Sequence, residues 1–201
     1  MIEYQIDKVQ IRLKKASHPC HVRINCHPLL ADLISRENLQ PSYCKVLVAY
    51  FHLYQKLETR VDEFLNSHSI PFDYSIRRKL SWLQDDLGFF KKDPYILSGL
   101  SLPIDFPPIE TVGQLIGVLY SIEGATLGGQ VIASNLRKNH NLTINQGASF
   151  FNGYAEHTAK RWEEFCQFAD SIQNDEDECK SVELATILTF SKFEELLNDC
   201  H

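Results

Sequence analysis

The stretch YSIEGATLGGQVIASNLRK, residues 120–138, reads as a helix but carries Gly124, Gly128 and Gly129 in its middle. An interior glycine destabilises a helix by roughly 0.5–1 kcal/mol relative to alanine. Three glycines therefore cost about 2–3 kcal/mol in a domain whose total stability is roughly 5–15 kcal/mol. Such glycines allow a second helix to pack closely, or let a flat ligand lie against bare backbone. Because an adjacent glycine pair also favours a kink, we favour a helix that kinks over a planar ligand.

The length, composition and charge of the chain exclude several classes of protein. The chain has 201 residues, a net charge of −6 and an ordinary 44% of hydrophobic residues, which suits one soluble domain. The negative charge disfavours a nucleic-acid-binding role. The first ten residues lack the apolar region of a signal peptide, and no run of about 18 apolar residues predicts a membrane span. Six cysteines without a CxxC pair predict reduced thiols in a cytoplasmic protein.

Apolar residues recur at helical spacing along most of the chain, and no segment alternates as a strand would. The predicted helices span residues 6–24, 41–65, 73–90, 111–137, 148–171 and 181–199. Asp73 is the expected N-cap of the third helix. Four prolines predict a loop over 94–108, and the acidic run 173–180 predicts a surface turn. The sequence therefore predicts an all-α protein with a single domain over 1–201.

A planar ligand with redox chemistry suggests haem, whose iron needs an axial ligand from the protein. The only methionine is at position 1, whereas eight histidines are available: 18, 21, 27, 52, 68, 140, 157 and 201. A histidine is therefore the expected ligand. Composition alone leaves the choice among the eight open.

Several segments resemble haem oxygenases, in the right order over residues 8–170. EGATLGGQ, residues 123–130, resembles the glycine motif of the distal helix, and LYSIEGATLGGQVIA looks like the bacterial, phytochrome-associated branch. LKKASHPCHVRI, residues 13–24, is similar to the proximal-helix pattern, with Ser17 where threonine is usual. YCKVLVAYFHLYQKLE, RRKLSWLQDDLGFF and GASFFNGYAEHTAKRWEEF resemble later segments of the family.

The resemblance implies a haem-oxygenase-like helical bundle that holds one haem between a proximal and a distal helix. The proximal ligand of the iron would be His21, with His18 as its main rival. Gly124, Gly128 and Gly129 would be the catalytic residues, since they keep side chains away from bound oxygen. The enzyme would use O2 and electrons to open haem, which is both cofactor and substrate, to biliverdin, CO and ferrous iron.

His18 and His21 share roughly one helical face, being three residues apart. Pro19 follows His18 and biases it toward extended geometry, which favours His21 as the ligand.

At the position of Ala125 the animal enzymes carry a carboxylate that holds the distal water. The resemblance therefore leaves the distal hydrogen-bond network of this chain unidentified.

The propionates of a bound haem need cations. Lys14 and Lys15 precede His21 by about two turns, so at least one could point toward the haem edge. Lys160 and Arg161 are the other candidates, and solvated surface charge is the alternative for both pairs. Residues 137 and 138 are cations that suit the C-terminal dipole of the long helix without any ligand.

Aromatic residues are the remaining candidates for contact with haem. Tyr120 lies one turn before Gly124 and would face the distal pocket or pack in the core. Phe151 and Tyr154 belong to the segment that follows the distal helix, and we expect both to contact haem. Phe150 and Trp162 are expected in the core or in the haem wall.

Three other functions are alternatives to haem cleavage. A haem carrier or sensor of the same fold is the main alternative, although binding alone does not require a bare distal helix. A di-iron bundle needs Glu-x-x-His pairs, and no glutamate here is followed by histidine three residues later. An interaction domain would leave the glycines unexplained.

Partners follow from the implied chemistry. Reduction would need an external electron donor, such as a ferredoxin, a flavodoxin or a reductase, because no flavin or iron–sulfur motif is present. Biliverdin would supply a bacteriophytochrome chromophore, or the reaction would serve iron acquisition. The sequence does not decide between these two purposes.

Overall fold

The computed structural model describes residues 9–34, 39–93 and 105–200, and these residues contain α-helices and no β-strand beyond isolated bridges. The helices are α1 (Val9–Asn25), α2 (Pro28–Asp32), α3 (Leu39–Ser67), α4 (Leu80–Phe89), α5 (Val112–His140), α6 (Ser149–Asn152), α7 (Thr158–Ala169) and α8 (Glu176–Cys200). Their buried apolar side chains form one connected core. The all-α expectation is confirmed.

The glycine-rich helix α5 is the central element. It begins after Thr111, whose hydroxyl accepts a hydrogen bond from the Gln114 amide at 3.2 Å, and it ends at Asn141 in the left-handed conformation (φ 56°). Its helical hydrogen bonding is continuous across the glycines, so they do not interrupt the helix. α5 is long and apolar enough to cross a membrane by length and composition, yet 56% of its most apolar stretch is buried in the fold. Core helices meet the same criteria.

α5 packs most closely on α8 through two other glycines. A Cβ at Gly117 would lie 2.5 Å from the Val182 carbonyl oxygen and 2.7 Å from the Cβ of Ala185. The Gly113 amide donates a hydrogen bond to the Glu178 carboxylate at 2.5 Å. The absence of side chains at these two positions therefore allows the two helix backbones to approach.

Three predicted helix boundaries were wrong. The third helix begins at Leu80, since a 3-10 turn at Ser75–Arg77 and an extended Arg78 precede it. The predicted helix 148–171 is divided at Gly153, which adopts φ 53° and ends α6. The last helix begins at Glu176, so it includes most of the predicted acidic turn.

Two further expectations concern Pro19 in α1 and the predicted loop before α5. α1 continues through Pro19, and His18 is therefore helical rather than extended. Of the predicted loop 94–108, residues 105–108 have no regular secondary structure, whereas 94–104 lie outside the described residues.

Candidate functional site

A cavity of about 360 Å³ lies between α1, α2, α3, α5, α6 and α8. Its lining residues are His21, Ile24, Asn25, Leu30, Ile34, Tyr50, Ser121, Gly124, Ala125, Gly128, Gly129, Val131, Ile132, Phe150, Phe151, Phe190 and Phe193. Most of this wall is aliphatic, aromatic or bare backbone. Such a wall suits a flat, apolar ligand oriented by few polar groups.

The three predicted glycines line this cavity but differ in their surroundings. A Cβ at Gly128 would meet no atom within 4 Å, so this position opens onto free space. A Cβ at Gly124 would touch the Trp162 ring at 3.7 Å, an ordinary contact. A Cβ at Gly129 would lie 3.1 Å from the Phe151 carbonyl oxygen, so this glycine lets α6 approach α5. Gly128 is thus the glycine that most directly leaves room for a ligand.

His21 lines the cavity from α1. Its Nδ1 lies 3.1 Å from Nδ2 of Asn25, and its ring meets Phe190 edge-on with centroids 6.0 Å apart. Burial, and secondarily the nearby His18, lower the pKa of His21. The lowered pKa favours the neutral imidazole at neutral pH. Because Asn25 Nδ2 can only donate, Nδ1 accepts this hydrogen bond and the ring proton lies on Nε2. Binding a metal through Nε2 would require the proton to move to Nδ1 and the Asn25 amide to present its oxygen. Both histidines are exposed, but only His21 lines the cavity.

The wall contributed by α3, α6 and α8 is a cluster of aromatic rings packed against each other. The Tyr50 ring lies 5.2 Å from the Phe193 ring and 5.5 Å from the Phe150 ring, both in edge-to-face geometry. Phe150 in turn contacts Phe151 at 5.2 Å. Aromatic pairs in this geometry stabilise each other by roughly 0.5–1.5 kcal/mol beyond their buried area, so these contacts favour the observed arrangement of the wall.

A carboxylate on α4 holds the short helix α6 in place. Both oxygens of Asp86 accept backbone hydrogen bonds, from the Ser149 amide at 2.7 Å and from the Phe150 amide at 2.9 Å. Asp86 is fully buried, and burial raises its pKa to about 6 despite these two bonds. This long-range N-cap fixes the backbone that carries Phe150 and Phe151.

A buried ionic cluster lies directly beside the glycine segment. The Lys79 ammonium donates to Glu123 Oε1 at 2.7 Å and to the Tyr154 hydroxyl at 2.8 Å. The Arg77 guanidinium donates to Glu123 Oε2 at 2.9 Å and to Glu164 at 2.9 Å. Lys79 and Glu123 are each 1% exposed. The cluster ties α5 to the segment before α4 and to α7.

The predicted site residues separate into two groups. His21, Gly124, Gly128, Gly129 and Phe151 line one cavity, as the resemblance implied. The others do not line it: Tyr120, Tyr154, Arg161, Lys14 and Lys15.

Each residue outside the cavity has other surroundings. Tyr120 packs against Trp162 with ring centroids 5.8 Å apart. Tyr154 is committed to the ionic cluster, where its hydroxyl donates to Glu123 at 2.9 Å. Arg161 pairs with Glu164 at 3.0 Å. Lys14 and Lys15 are exposed on α1. These five residues do not line the cavity, and their contact with haem stays a prediction.

Sequence reasoning missed several lining residues. Phe190 and Phe193 come from the last helix, where aromatic residues three apart share a face. Asn25 follows His21 by four residues, which places it one turn away on the same face. Both spacings can be recognised in the sequence, but neither shows that this helix face borders a cavity.

Among the described residues no group of three or more His, Cys, Asp or Glu side chains forms a metal site.

Comparison with known proteins adds two findings. Residues 108–199, from just before α5 through nearly all of α8, match the family model described as Heme oxygenase. No curated protein sequence matches the chain.

Solved haem oxygenases share the fold. The Neisseria meningitidis enzyme, with bound NO and CO, aligns with a TM-score of 0.75 at 16% identity over 96% of this chain and 92% of that one. The Leptospira interrogans enzyme gives 0.73 at 16% identity, covering 94% and 98%. Haem oxygenase-1 of Synechocystis sp. PCC6803 in complex with haem gives 0.67 at 14% identity, covering 95% and 91%. At these identities the likeness shows a common fold.

Proposed function

We propose that this chain, whose residues 108–199 match the family model described as Heme oxygenase, is a haem oxygenase that binds haem as substrate and cleaves it to biliverdin, CO and ferrous iron. The observation that carries the proposal is the pairing across one cavity of His21 on α1 with the bare backbone of α5 at Gly128. Haem, when bound, would supply O2 activation through its iron. The protein would orient the haem, offer it a nitrogen of His21 as a ligand, and surround it with mostly apolar side chains.

His21 is the proposed axial ligand. It is the only histidine among the described lining residues, and its lowered pKa keeps the nitrogen lone pair available at neutral pH. Asn25 Nδ2 donates to Nδ1 of the ring; rotation of this amide to present its oxygen would let Nδ1 donate, as the ring N–H of metal-bound histidines commonly does. His21 lies outside the matched residues 108–199, so its role rests on its placement in the cavity.

The glycines have separate proposed roles. Gly128 leaves open space over the ligand, and Gly124 keeps the wall thin between the cavity and Trp162. Gly129 lets the Phe151 backbone close the cavity from α6. The aromatic cluster around Tyr50 and Phe193 excludes water from the apolar face of the ligand. Together these residues would seat one flat macrocycle with one face toward His21 and the other toward α5.

The partners of the enzyme are part of the proposal. Electrons would come from an external donor, which we propose to be a ferredoxin, a flavodoxin or a reductase. We infer a cytoplasmic location from the reduced cysteines and the composition. Delivery of biliverdin to a bacteriophytochrome, and with it the phytochrome-associated branch, stays a prediction, with iron acquisition as the alternative.

A haem-binding and turnover assay on the purified protein tests this function. Purified protein is loaded with haem, its Soret spectrum is recorded, and ascorbate or a ferredoxin system is added in air while biliverdin is followed by absorbance and chromatography. We expect a 1:1 haem complex that yields biliverdin. His21→Ala is expected to lose the axial ligation, whereas His18→Ala, a matched change three residues away on the same helix, is expected to behave as wild type.

Two results would contradict this proposal. Haem that binds and remains intact would point to the carrier or sensor alternative. Loss of ligation in His18→Ala with retention in His21→Ala would reassign the axial ligand while leaving the activity in place.

A further inference from the structure

The shortest helix around the cavity wall with two aromatic rings is α6, which has only four residues, Ser149–Asn152. Its rings, Phe150 and Phe151, both line the cavity. Isolated helices of fewer than about 12–15 residues are marginal in water, so α6 cannot fix its own position. The placement of both rings therefore depends on the groups that hold α6 from outside.

Asp86 on α4 holds the beginning of α6. The N-cap residue of this helix, Ala148, makes no side-chain capping bond, because alanine has no oxygen that could accept one. The two oxygens of Asp86 accept the Ser149 and Phe150 amides instead, at 2.7 and 2.9 Å. Because each oxygen holds a different amide, the carboxylate fixes the orientation of α6 as well as its distance from α4.

The later residues of α6 lie against the glycine segment of α5. A Cβ at Gly129 would lie 3.1 Å from the Phe151 carbonyl oxygen, and a Cβ at Gly153 would lie 3.4 Å from the Cβ of Thr126. α6 is therefore held by Asp86 at its beginning and packed against α5 at its end. A shift of α6 would move Phe151 relative to Gly129, and both of these residues line the cavity.

The charge of Asp86 is buried without a cation to offset it. The residue is fully buried, and among the described residues no lysine or arginine forms an ion pair with it. Burial raises its pKa to about 6, although the Phe150 and Ser149 amides act in the opposite direction. At neutral pH the ionised carboxylate therefore lowers the stability of the fold relative to the neutral acid. A role in placing α6 explains this carboxylate better than a role in stability does.

We propose that Asp86 is a positioning residue for haem, because its two hydrogen bonds hold Phe150 and Phe151 at the spacing from α5 that a flat macrocycle requires. Asp86 does not itself line the cavity, so it acts on the ligand through α6. The inference rests on the proposed function, because it concerns the fit of that substrate.

Haem titration of four proteins tests the inference: wild type, Asp86→Ala, Asp86→Asn and Val61→Ala. Asp86→Ala removes both acceptors, whereas Asp86→Asn keeps one carbonyl oxygen and replaces the other oxygen by an N–H donor. Val61→Ala is the control for lost stability, since Val61 is fully buried on α3 and does not line the cavity. Soret absorbance gives the haem affinity at a temperature at which circular dichroism shows all four proteins to be folded.

We expect Asp86→Ala to weaken haem binding about tenfold and Asp86→Asn about threefold, in the order of the hydrogen bonds lost. Val61→Ala should lower the melting temperature and leave haem affinity as in wild type. A merely structural role of Asp86 would leave haem affinity equal in all the proteins that are folded.

The pH dependence of haem affinity is a second readout. A protonated carboxyl group, like the asparagine amide, keeps only one carbonyl acceptor. The roughly threefold difference between wild type and Asp86→Asn at pH 7.5 should therefore become smaller at pH 5.5. The other titratable groups that face Asp86 are Asp85 on α4 and Tyr43 on α3, and α6 presents the Ser149 hydroxyl and amide. All of these groups are the same in both proteins.

Other outcomes overturn the inference and leave the proposed function in place. One is a folded Asp86→Ala protein that binds haem as wild type does, and another is a Val61→Ala protein that loses as much affinity as Asp86→Ala. If Asp86→Ala does not fold, Asp86→Asn decides, and an affinity equal to that of wild type at both pH values refutes the inference. If wild type binds no haem, the function and the inference fail together.

Discussion

Glu123 and Gly124 are consecutive residues of α5 in opposite environments. Glu123 is 1% exposed and accepts hydrogen bonds from Lys79 at 2.7 Å and Arg77 at 2.9 Å, whereas Gly124 borders the cavity. The ionic cluster therefore holds α5 at the point where its bare segment begins. Since an unpaired charge in such a position is costly, the cluster fixes the register of the glycines relative to the rest of the fold.

Glu123→Gln should destabilise the protein strongly. It leaves the buried Lys79 ammonium without its carboxylate, and breaking a buried pair in this way costs about 3–5 kcal/mol. The free energy of unfolding from urea denaturation measures the effect. Glu195→Gln, which breaks the more exposed pair with Lys192, should cost less than about 1 kcal/mol. Equal losses in the two variants would mean that the cluster does not anchor α5.

Gly128→Ala should stabilise the apoprotein and impair haem binding. The new methyl group meets no protein atom within 4 Å, so the gain in helix propensity is about 0.5–1 kcal/mol. The same methyl group stands in the cavity, where overpacking against a ligand should weaken haem binding about fivefold or more. Thermal denaturation and haem titration measure the two effects.

Gly88→Ala is the matched control for that substitution. Gly88 is an exposed helical glycine on α4 whose Cβ would also meet nothing within 4 Å, and it does not line the cavity. We expect a similar stabilisation with unchanged haem affinity. If Gly128→Ala binds haem as Gly88→Ala does, the bare segment does not face the ligand.

Gly117→Ala should have the opposite effect on stability. Its Cβ would lie 2.5 Å from the Val182 carbonyl oxygen, so α5 and α8 must separate, at a cost of about 1–3 kcal/mol. The melting temperature of the apoprotein should fall, whereas that of Gly128→Ala should rise. A Gly117→Ala protein as stable as wild type would show that the two helices are not in close contact at this point.

Asp86 should make stability depend on pH. Burial raises its pKa from 3.8 to about 6, so between these values the folded protein binds more protons than the unfolded chain. The stability contributed by Asp86 is therefore fully present below about pH 4 and is lost as the pH rises through about 6. Relative to Asp86→Asn, wild type should gain about 1–1.5 kcal/mol on going from pH 7.5 to pH 5.

Urea denaturation at the two pH values measures this difference in the free energy of unfolding. Asp105→Asn, which removes an exposed carboxylate before α5, is the control variant for this comparison. If Asp86→Asn and wild type respond identically to pH, the Asp86 carboxyl group does not titrate in this range.

Local signals predicted most of the helices because their causes are local. Thr111 caps α5 from the position next to it. The positive φ of Gly153, which ends α6 inside the predicted helix 148–171, is also a local feature, but the prediction missed it. The start of α4 was mispredicted because its cap is remote in sequence. Oε1 of Glu58, on α3, accepts from the Lys79 and Leu80 amides at 2.6 and 3.2 Å, and this overrides the local capping signal of Asp73.

The sequence by itself determined that the protein is helical, that one long helix carries a bare glycine segment, and that His21 is a candidate ligand upstream of it. Only the tertiary structure decided that Gly128 faces open space while Gly117 faces α8, and that Tyr154 belongs to the ionic cluster rather than to the cavity. The physical reason is that periodicity and capping act within a few residues of one helix. Which face meets a cavity, a carboxylate or another backbone depends on how distant helices pack against each other.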